Sequence, residues 1–401
     1  MRTEAHAAGE PSVHRAAAFG TGATGTKLTG ASLPLGERGL EVPLASGPVY
    51  FNYYWLRDAS PDSIDPVTRE RVFDVAALAT DPRPRAARVD GDGLVIEWRD
   101  EDLVSRLPLS LLDAWVAGNG RAPDPAALPR RHWFADGHAR FARATLSGVE
   151  TSDAERARLA RALIEDGVAL VEAMDDDDAA LDRLAAAFGP VTPTVDGTHF
   201  DVRLTVDPTN LAYTARALEL HTDLPNEEAA PGVQFLHCRA NSVEGGRSLF
   251  VDGAAAAEAL RAERPADFAL LASHDIPFFR RHGRWDYRAH QRVIELDHAG
   301  EVSGLTVSQH LQDALDLPQA LLDDYYPALR RFLRTLREDR FVVRFRLEAG
   351  QCIVFDNHRV VHGREAFVAE SGRRHLRGCY VDRGALRSAY RTLVRGTGAG
   401  G

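Results

Sequence analysis

Beyond Pro190 the chain never stays apolar for long. Short stretches rich in β-branched and aromatic residues recur at 233–238, 248–251, 293–296, 341–347 and 352–355, with Gly, Pro and Asn between them. Each has the length of a strand and is too short for a packed helix. Only 254–261 and 318–337 carry helical periodicity in this part, and the second opens on Pro318, whose fixed φ suits a first helical position. Ahead of Pro190 the pattern differs. Leu159, Leu163 and Ile164 share one helical face over 153–166, behind a Ser152 cap. Residues 167–171 then read as a strand, and 179–188 as a second helix introduced by four aspartates at 175–178. Acids at a helix start offset the macrodipole and cap free N–H groups, so this run is read as a helix start rather than a metal site. Many short strands with two helices at the front predict a mainly β fold with α: a β-sandwich or jelly roll with helical inserts.

A smaller β-rich region comes first, over 38–117. Residues 49–56, Val-Tyr-Phe-Asn-Tyr-Tyr-Trp-Leu, read as a strand, and 87–98 as two strands joined by an Asp-Gly turn. Gly118, Gly120, Pro123, Pro125 and Pro129 make 118–134 a linker by composition. The predicted layout is a flexible leader over 1–37, a small domain over 38–117, the linker over 118–134, the larger domain over 135–395 and a flexible tail over 396–401. No internal repeat is visible.

Composition narrows the function classes. With 44% hydrophobic and 26% charged residues in 401, the chain is neither collagen-like nor wholly disordered. A net charge of -10 argues against nucleic acid and anionic membrane as partners. Cys238, Cys352 and Cys379 have apolar neighbours and form no disulfide framework, which fits small buried side chains in a reducing compartment. No apolar stretch approaches the ~18 residues of a membrane helix, and the N-terminus lacks an apolar signal core. A cytoplasmic location is expected.

The groups suited to chemistry are few. In His221-Thr222-Asp223, residues two apart would share a face if the segment is a strand, so one imidazole and one carboxylate could hold the same ion. A distant histidine would complete a 2-His-1-carboxylate face, which leaves three coordination positions open and suits ferrous iron in oxygen chemistry. His358 and His362 both qualify, and periodicity does not choose between them. With 15 histidines in the chain, spacing alone is weak. Arg373-Arg374 follows His362 by eleven and twelve residues, and a guanidinium there could fork onto the distal carboxylate of an organic diacid.

Several longer segments, in order, resemble the γ-butyrobetaine hydroxylase and trimethyllysine dioxygenase family, within the taurine dioxygenase superfamily. They are Asn210-Leu211-Ala212-Tyr213-Thr214, His221-Thr222-Asp223-Leu224-Pro225, Pro231-Gly232-Val233-Gln234-Phe235-Leu236-His237-Cys238, Gly245-Gly246-Arg247-Ser248, Asp356-Asn357-His358-Arg359-Val360-Val361-His362-Gly363-Arg364 and Arg374-His375-Leu376-Arg377-Gly378-Cys379-Tyr380. Tyr54-Trp55-Leu56-Arg57-Asp58 and Asp65-Pro66-Val67-Thr68-Arg69 extend the likeness into the small domain, so it spans roughly residues 45–393. The resemblance implies a double-stranded β-helix, the jelly-roll variant of iron(II)- and 2-oxoglutarate-dependent dioxygenases. It places His221, Asp223 and His362 on the iron-ligand positions, and His358 where relatives carry Trp. Arg374 falls on the 2-oxoglutarate carboxylate partner and Ser248 on a hydroxyl beside it. The implied reaction consumes O2 and 2-oxoglutarate, releases succinate and CO2, and hydroxylates an unactivated C–H bond. It also implies a homodimer.

Two departures matter. The family's small domain commonly binds zinc through three cysteines and a histidine; here those positions read Ser60, Asp62, Asp65 and Asp102, and the missing thiolates speak against structural zinc. Second, Phe200, Tyr213 and Tyr380 match positions of an aromatic cage for a quaternary ammonium, but the tyrosine expected four residues before Phe200 is Asp196. A carboxylate there favours an ammonium that carries N–H donors. Asn210 matches a residue that binds the substrate carboxylate; a second Asn is expected within 304–310, where Gln309 is the available substitute. The expected substrate is a small cationic or zwitterionic amine, betaine-like or amino-acid-like. The alternatives are γ-butyrobetaine itself, a natural-product intermediate, and a catalytically silent jelly-roll binding protein. The full set His221, Asp223, His362 and Arg374 argues against the last.

Overall fold

The computed structural model describes residues 30–118, 120–206, 210–283 and 285–398. The chain forms two compact units, Met1–Pro123 and Asp124–Gly401.

In the first unit the strands run in the order Ala31–Ser32, Pro84–Asp90, Gly93–Trp98 and Val104–Pro108, all antiparallel, and Gly39–Leu44 pairs with Gly47–Asn52 as a separate hairpin. The leader expected over 1–37 thus lends Ala31–Ser32 to the sheet, while 1–29 lie outside the described residues. The turn predicted within 87–98 is present: Asp90 pairs with Gly93, and Gly91 takes the φ of +62° that a tight hairpin requires. The strand predicted over 49–56 is corrected. It stops at Asn52, whose side chain accepts from the Tyr54 N–H at 2.8 Å and caps a helix, Tyr53–Asp58. Tyr53 and Leu56 are both buried, three apart on one helical face. A run of apolar residues satisfies either period, and the cap decides.

The second unit is layered. Its larger sheet runs Ala142–Thr145, Val168–Glu172, Cys352–Asp356, Val233–Asn241, Arg374–Val381 and Phe200–Arg203. The smaller runs Leu218–His221, Val360–Arg364, Ser248–Asp252 and Val343–Phe345. Sequence neighbours are seldom sheet neighbours, as in a jelly roll. Leu236, Phe355 and Leu376 of the larger sheet meet Phe250, Val343 and Val360 of the smaller in one apolar cluster. The alternate residues Val233, Phe235, Val354 and Cys379 face the other way, onto Asp153–Glu165, Ala179–Ala186 and the C-terminal helix. Behind the smaller sheet, Val251 and Val361 pack against a helical insert of Gly253–Glu263, Pro265–Leu271 and Gln319–Thr335. The larger domain is therefore a jelly roll with helical inserts.

Local signals account for several elements. Ser152 accepts from Glu155 N at 3.2 Å and starts its helix as predicted. The four aspartates form caps and ion pairs: Asp177 accepts from Ala180 N, and Arg239 bridges Asp176 and Asp178. Two elements had no clear signal in the sequence, the long hairpin Asp275–His282 with Trp285–Arg292 and the helix Arg383–Gly398. The tail expected over 396–401 begins inside that helix, and 399–401 lie outside the described residues. Trp133, within the segment expected as linker, is buried in the second unit and donates from Nε1 to Asp166 O at 2.8 Å. No helix among the described residues is long and apolar enough to cross a membrane.

Candidate active site

Strand alternation delivers the site. Arg374, Leu376 and Tyr380 stand on one face of Arg374–Val381, His362 and Arg364 on one face of Val360–Arg364, and Ser248 with Phe250 on one face of Ser248–Asp252; all line one pocket between the two sheets. Arg373, one residue out of phase with Arg374, is exposed. Arg373 lies just ahead of the strand, and the burial of Arg374 shows which arginine enters.

His221, Asp223 and His362 converge, with one ligand atom from each lying within 4.8 Å of the others. Asp223 Oδ1 stands 3.1 Å from His221 Nε2 and 3.6 Å from His362 Nε2. The pairing of His221 with Asp223 does not arise as strand geometry. The strand ends at His221, Thr222 N–H turns to Val307 O at 2.6 Å, and Leu224 adopts φ +52°. Asp223 is held instead by Asn357, which accepts from Asp223 N at 2.7 Å and donates to Asp223 O at 3.1 Å and Pro231 O at 2.9 Å. His221 Nδ1 lies 2.8 Å from Glu219 O, which assigns its proton to Nδ1 and frees Nε2 as a ligand. Burial, then the neighbouring His221, pushes His362 down to about 3, so it is a neutral imidazole. Burial alone would raise the Asp223 carboxyl; the two imidazoles and the Tyr380 hydroxyl outweigh it and hold the group below the usual carboxylate range. One ionised carboxylate and two imidazole nitrogens aimed at one point fit a divalent first-row metal.

The cosubstrate end fits as well. Arg374 is 8% exposed, and its Nε has no protein partner among the described residues. Burial lowers it to about 10, still far above neutrality, so a buried cation faces the pocket without an acid. Ser248 lines the same pocket. Both terminal nitrogens of Arg364 are engaged by backbone, donating to Ala212 O at 3.1 Å, Thr214 O at 2.7 Å and Arg216 O at 2.6 Å, while its Nε has no partner among the described residues. It pins the loop that carries Asn210 and Tyr213. A diacid therefore meets Arg374 as the available partner.

The opposite end is aromatic. Phe200 and Tyr380 stack with ring centroids 5.3 Å apart, and Tyr213 lines the pocket with them. Gly378 makes the stack feasible, since a Cβ there would lie 2.3 Å from Phe200 Cζ. Asn210 lines the pocket while its Oδ1 caps the Leu211–Tyr213 turn through Ala212 N at 2.9 Å. Asp196 also lines the pocket, but its carboxylate is already paired: Arg280, on the hairpin Asp275–His282, forks onto both oxygens at 2.7 and 2.8 Å. The free carboxylate expected for a substrate ammonium is thus half of an ion pair.

The sequence reading missed several groups. His358 is no ligand: its ring lies 3.0 Å from Ala230 O. Gln309 does not line the pocket, and His310 and Leu311 supply that wall. Asn357, Arg364 and Gln234 lay inside motifs already noted; inward sheet phase could have found Arg364 and Gln234, whereas Asn357 sits in the turn after Cys352–Asp356. Arg280 had none. In the small domain, Ser60 donates to Asp62 at 2.9 Å, and Asp65 accepts from Val67 N and Thr68 N.

Comparison with known proteins agrees with this geometry. The family model described as taurine catabolism dioxygenase TauD, TfdA family matches residues 134–380. The chain is 39% identical over 361 residues to a gamma-butyrobetaine dioxygenase of Pseudomonas sp. (strain AK-1), covering 89% of this chain and 94% of the relative. It is 31% identical to dioxygenase str8 of Strobilurus tenacellus, over 83% of this chain and 82% of that one. A mitochondrial trimethyllysine dioxygenase of Gallus gallus is 27% identical, over 88% and 86%.

Proposed function

The chain belongs to the TauD, TfdA dioxygenase family and is an iron(II)- and 2-oxoglutarate-dependent dioxygenase, and from that premise we propose that it hydroxylates a small cationic or zwitterionic amine, betaine-like or amino-acid-like. The observation that carries this reading is one pocket holding a 2-His-1-carboxylate face, a buried uncompensated arginine and a stacked aromatic pair. Bound iron(II), with 2-oxoglutarate and O2, supplies the oxidising power that converts C–H to C–OH with release of succinate and CO2. His221, Asp223 and His362 would hold the metal. Arg374 binds the distal carboxylate of 2-oxoglutarate, and the Ser248 hydroxyl donates to the same group. Phe200, Tyr213 and Tyr380 offer π-faces to the ammonium. Asn210 orients the substrate's acidic end. Leu218, Leu236 and Leu376 line the same pocket and limit water around the reacting carbon.

Asp196 with Arg280 shapes the amine end. The outer lone pairs of Asp196 accept from an N–H-bearing ammonium and gain nothing from methyl groups. γ-Butyrobetaine is a second reading, favoured by the identity to the Pseudomonas relative. A natural-product intermediate is a third, favoured by the Asp196–Arg280 pair at a position expected to be aromatic. In the same proposal the protein is a cytoplasmic homodimer, and its charge of -10 speaks against a nucleic acid or anionic membrane partner. Its small domain, in that proposal, folds without zinc, since Ser60, Asp62, Asp65 and Asp102 offer no thiolate.

The test is turnover-coupled succinate release across betaines, trimethyllysine and free amino acids. One class of small amine is expected to raise release above the amine-free rate; no response to any of them would overturn the proposal. Asp196→Tyr should shift preference toward trimethylated substrates, and an unchanged ranking would remove Asp196 from the specificity argument.

A further inference from the structure

We propose that Tyr380 is a positioning residue for the metal-ligand carboxylate as well as a wall of the amine pocket. The two oxygens of Asp223 do different work. Oδ1 is the oxygen turned toward His221 Nε2 and His362 Nε2, at 3.1 and 3.6 Å. Oδ2 accepts a hydrogen bond from Tyr380 Oη at 2.7 Å. Asn357 grips the Asp223 backbone on both its N–H and its carbonyl, but the carboxylate torsion is broad and the backbone alone does not choose which oxygen faces the imidazoles. Tyr380 makes that choice. Tyr380 is 3% exposed and its place is set by the register of Arg374–Val381, where it pairs with Gln234. The hydroxyl therefore sits at a fixed point, 157 residues along the chain from the acid it holds.

The consequence is a count of coordination positions. A carboxylate with both oxygens free can chelate a divalent ion through both. That would occupy a position which a chelating keto acid and O2 need between them. With Oδ2 engaged by Tyr380, Asp223 contributes one oxygen, and the three-ligand face stays open on the other side. Tyr380 also contacts the substrate's aromatic site, so the same side chain joins the amine pocket to the metal carboxylate.

The inference rests on the metal-centre reading above, and the experiment separates the two. Tyr380→Phe keeps the ring and the stack and removes the hydroxyl. Mn(II) is titrated into the metal-free full-length enzyme without amine, and the visible band of the anaerobic iron(II)–2-oxoglutarate complex is recorded for the same variants. The expected result is a Mn(II) Kd raised roughly 10- to 100-fold with a shifted band. Phe200→Leu, which keeps the hydroxyl and spoils the stack, should leave the Mn(II) Kd at its original value and raise the amine KM. If Tyr380→Phe binds Mn(II) as tightly as the unaltered enzyme with the same band, Tyr380 is a pocket wall alone and the proposal is wrong, whatever happens to the amine KM. If Phe200→Leu weakens Mn(II) as much as Tyr380→Phe does, the hydroxyl is not the agent and the proposal fails. If the unaltered enzyme binds no Mn(II), the metal centre itself is disproved and the role of Tyr380 falls with it.

Discussion

Replacing Asn357 by alanine removes one side chain and three hydrogen bonds. Asn357 is 1% exposed, and its amide accepts from Asp223 N and donates to Asp223 O and Pro231 O. A neutral hydrogen bond contributes about 1 kcal/mol net, so the three together hold the Asp223 turn by about 3 kcal/mol. Water reaching the half-buried Asp223 would recover part of this, leaving about 2–3 kcal/mol. At about 1.4 kcal/mol per tenfold, that is roughly 30- to 150-fold in the local opening equilibrium. The loss should appear where the bond was. Amide hydrogen exchange at Asp223 in the metal-free enzyme should accelerate by that factor, while amides of the Val233–Asn241 strand exchange as before. The Mn(II) Kd should rise in parallel, because the ligand turn is correctly placed for a smaller fraction of the time. Unchanged exchange at Asp223 with an unchanged Kd would refute the claim that Asn357, rather than strand geometry, aims the carboxylate.

Three further outcomes follow from the same structure. Arg374→Met removes a buried cation that has no acidic partner, so the thermal midpoint of the ligand-free enzyme should not fall, while the upward shift caused by 2-oxoglutarate should vanish; a lower midpoint with that shift retained would contradict the role given to Arg374. Gly378→Ala puts a methyl where Phe200 now stands, and should raise the amine KM with little change in the KM for 2-oxoglutarate; equal effects on both would mean a general distortion of the strand. His237 is held neutral by burial, then by Arg239, which push it down to about 4. The unfolded chain takes up that proton near pH 6.5, so the stability due to neutral His237 is complete above about 6.5 and is lost as pH falls toward about 4. Urea midpoints between pH 7 and pH 4 should therefore decline less steeply for His237→Gln, and an identical slope would exclude His237 from the acid limb.

Much of the architecture was legible because it rests on local pattern. The short apolar runs at 233–238, 248–251 and 352–355 became strands, and Ser152 capped the helix it was expected to cap. The run 49–56 was misread because aromatic residues satisfy both the strand and the helix period until a cap such as Asn52 intervenes. His221, Asp223, His362 and Arg374 could be named from spacing and motif likeness. Their convergence could not be derived that way, and the assumed reason for pairing His221 with Asp223 was mistaken, since the strand ends between them.

The amino-acid order by itself indicated the short strands at 233–238, 248–251 and 352–355, the Ser152 helix start, and the candidate set His221, Asp223, His362 and Arg374. Tertiary structure alone decided the partners: Asn357 on Asp223 across 134 residues, Tyr380 on the same acid across 157, and Arg280 on Asp196 across 84. Periodicity reports which way a side chain points within its own element. Which distant group it meets depends on sheet register and loop path, and these are set by the summed packing of many residues, none of which carries the answer in its own neighbourhood.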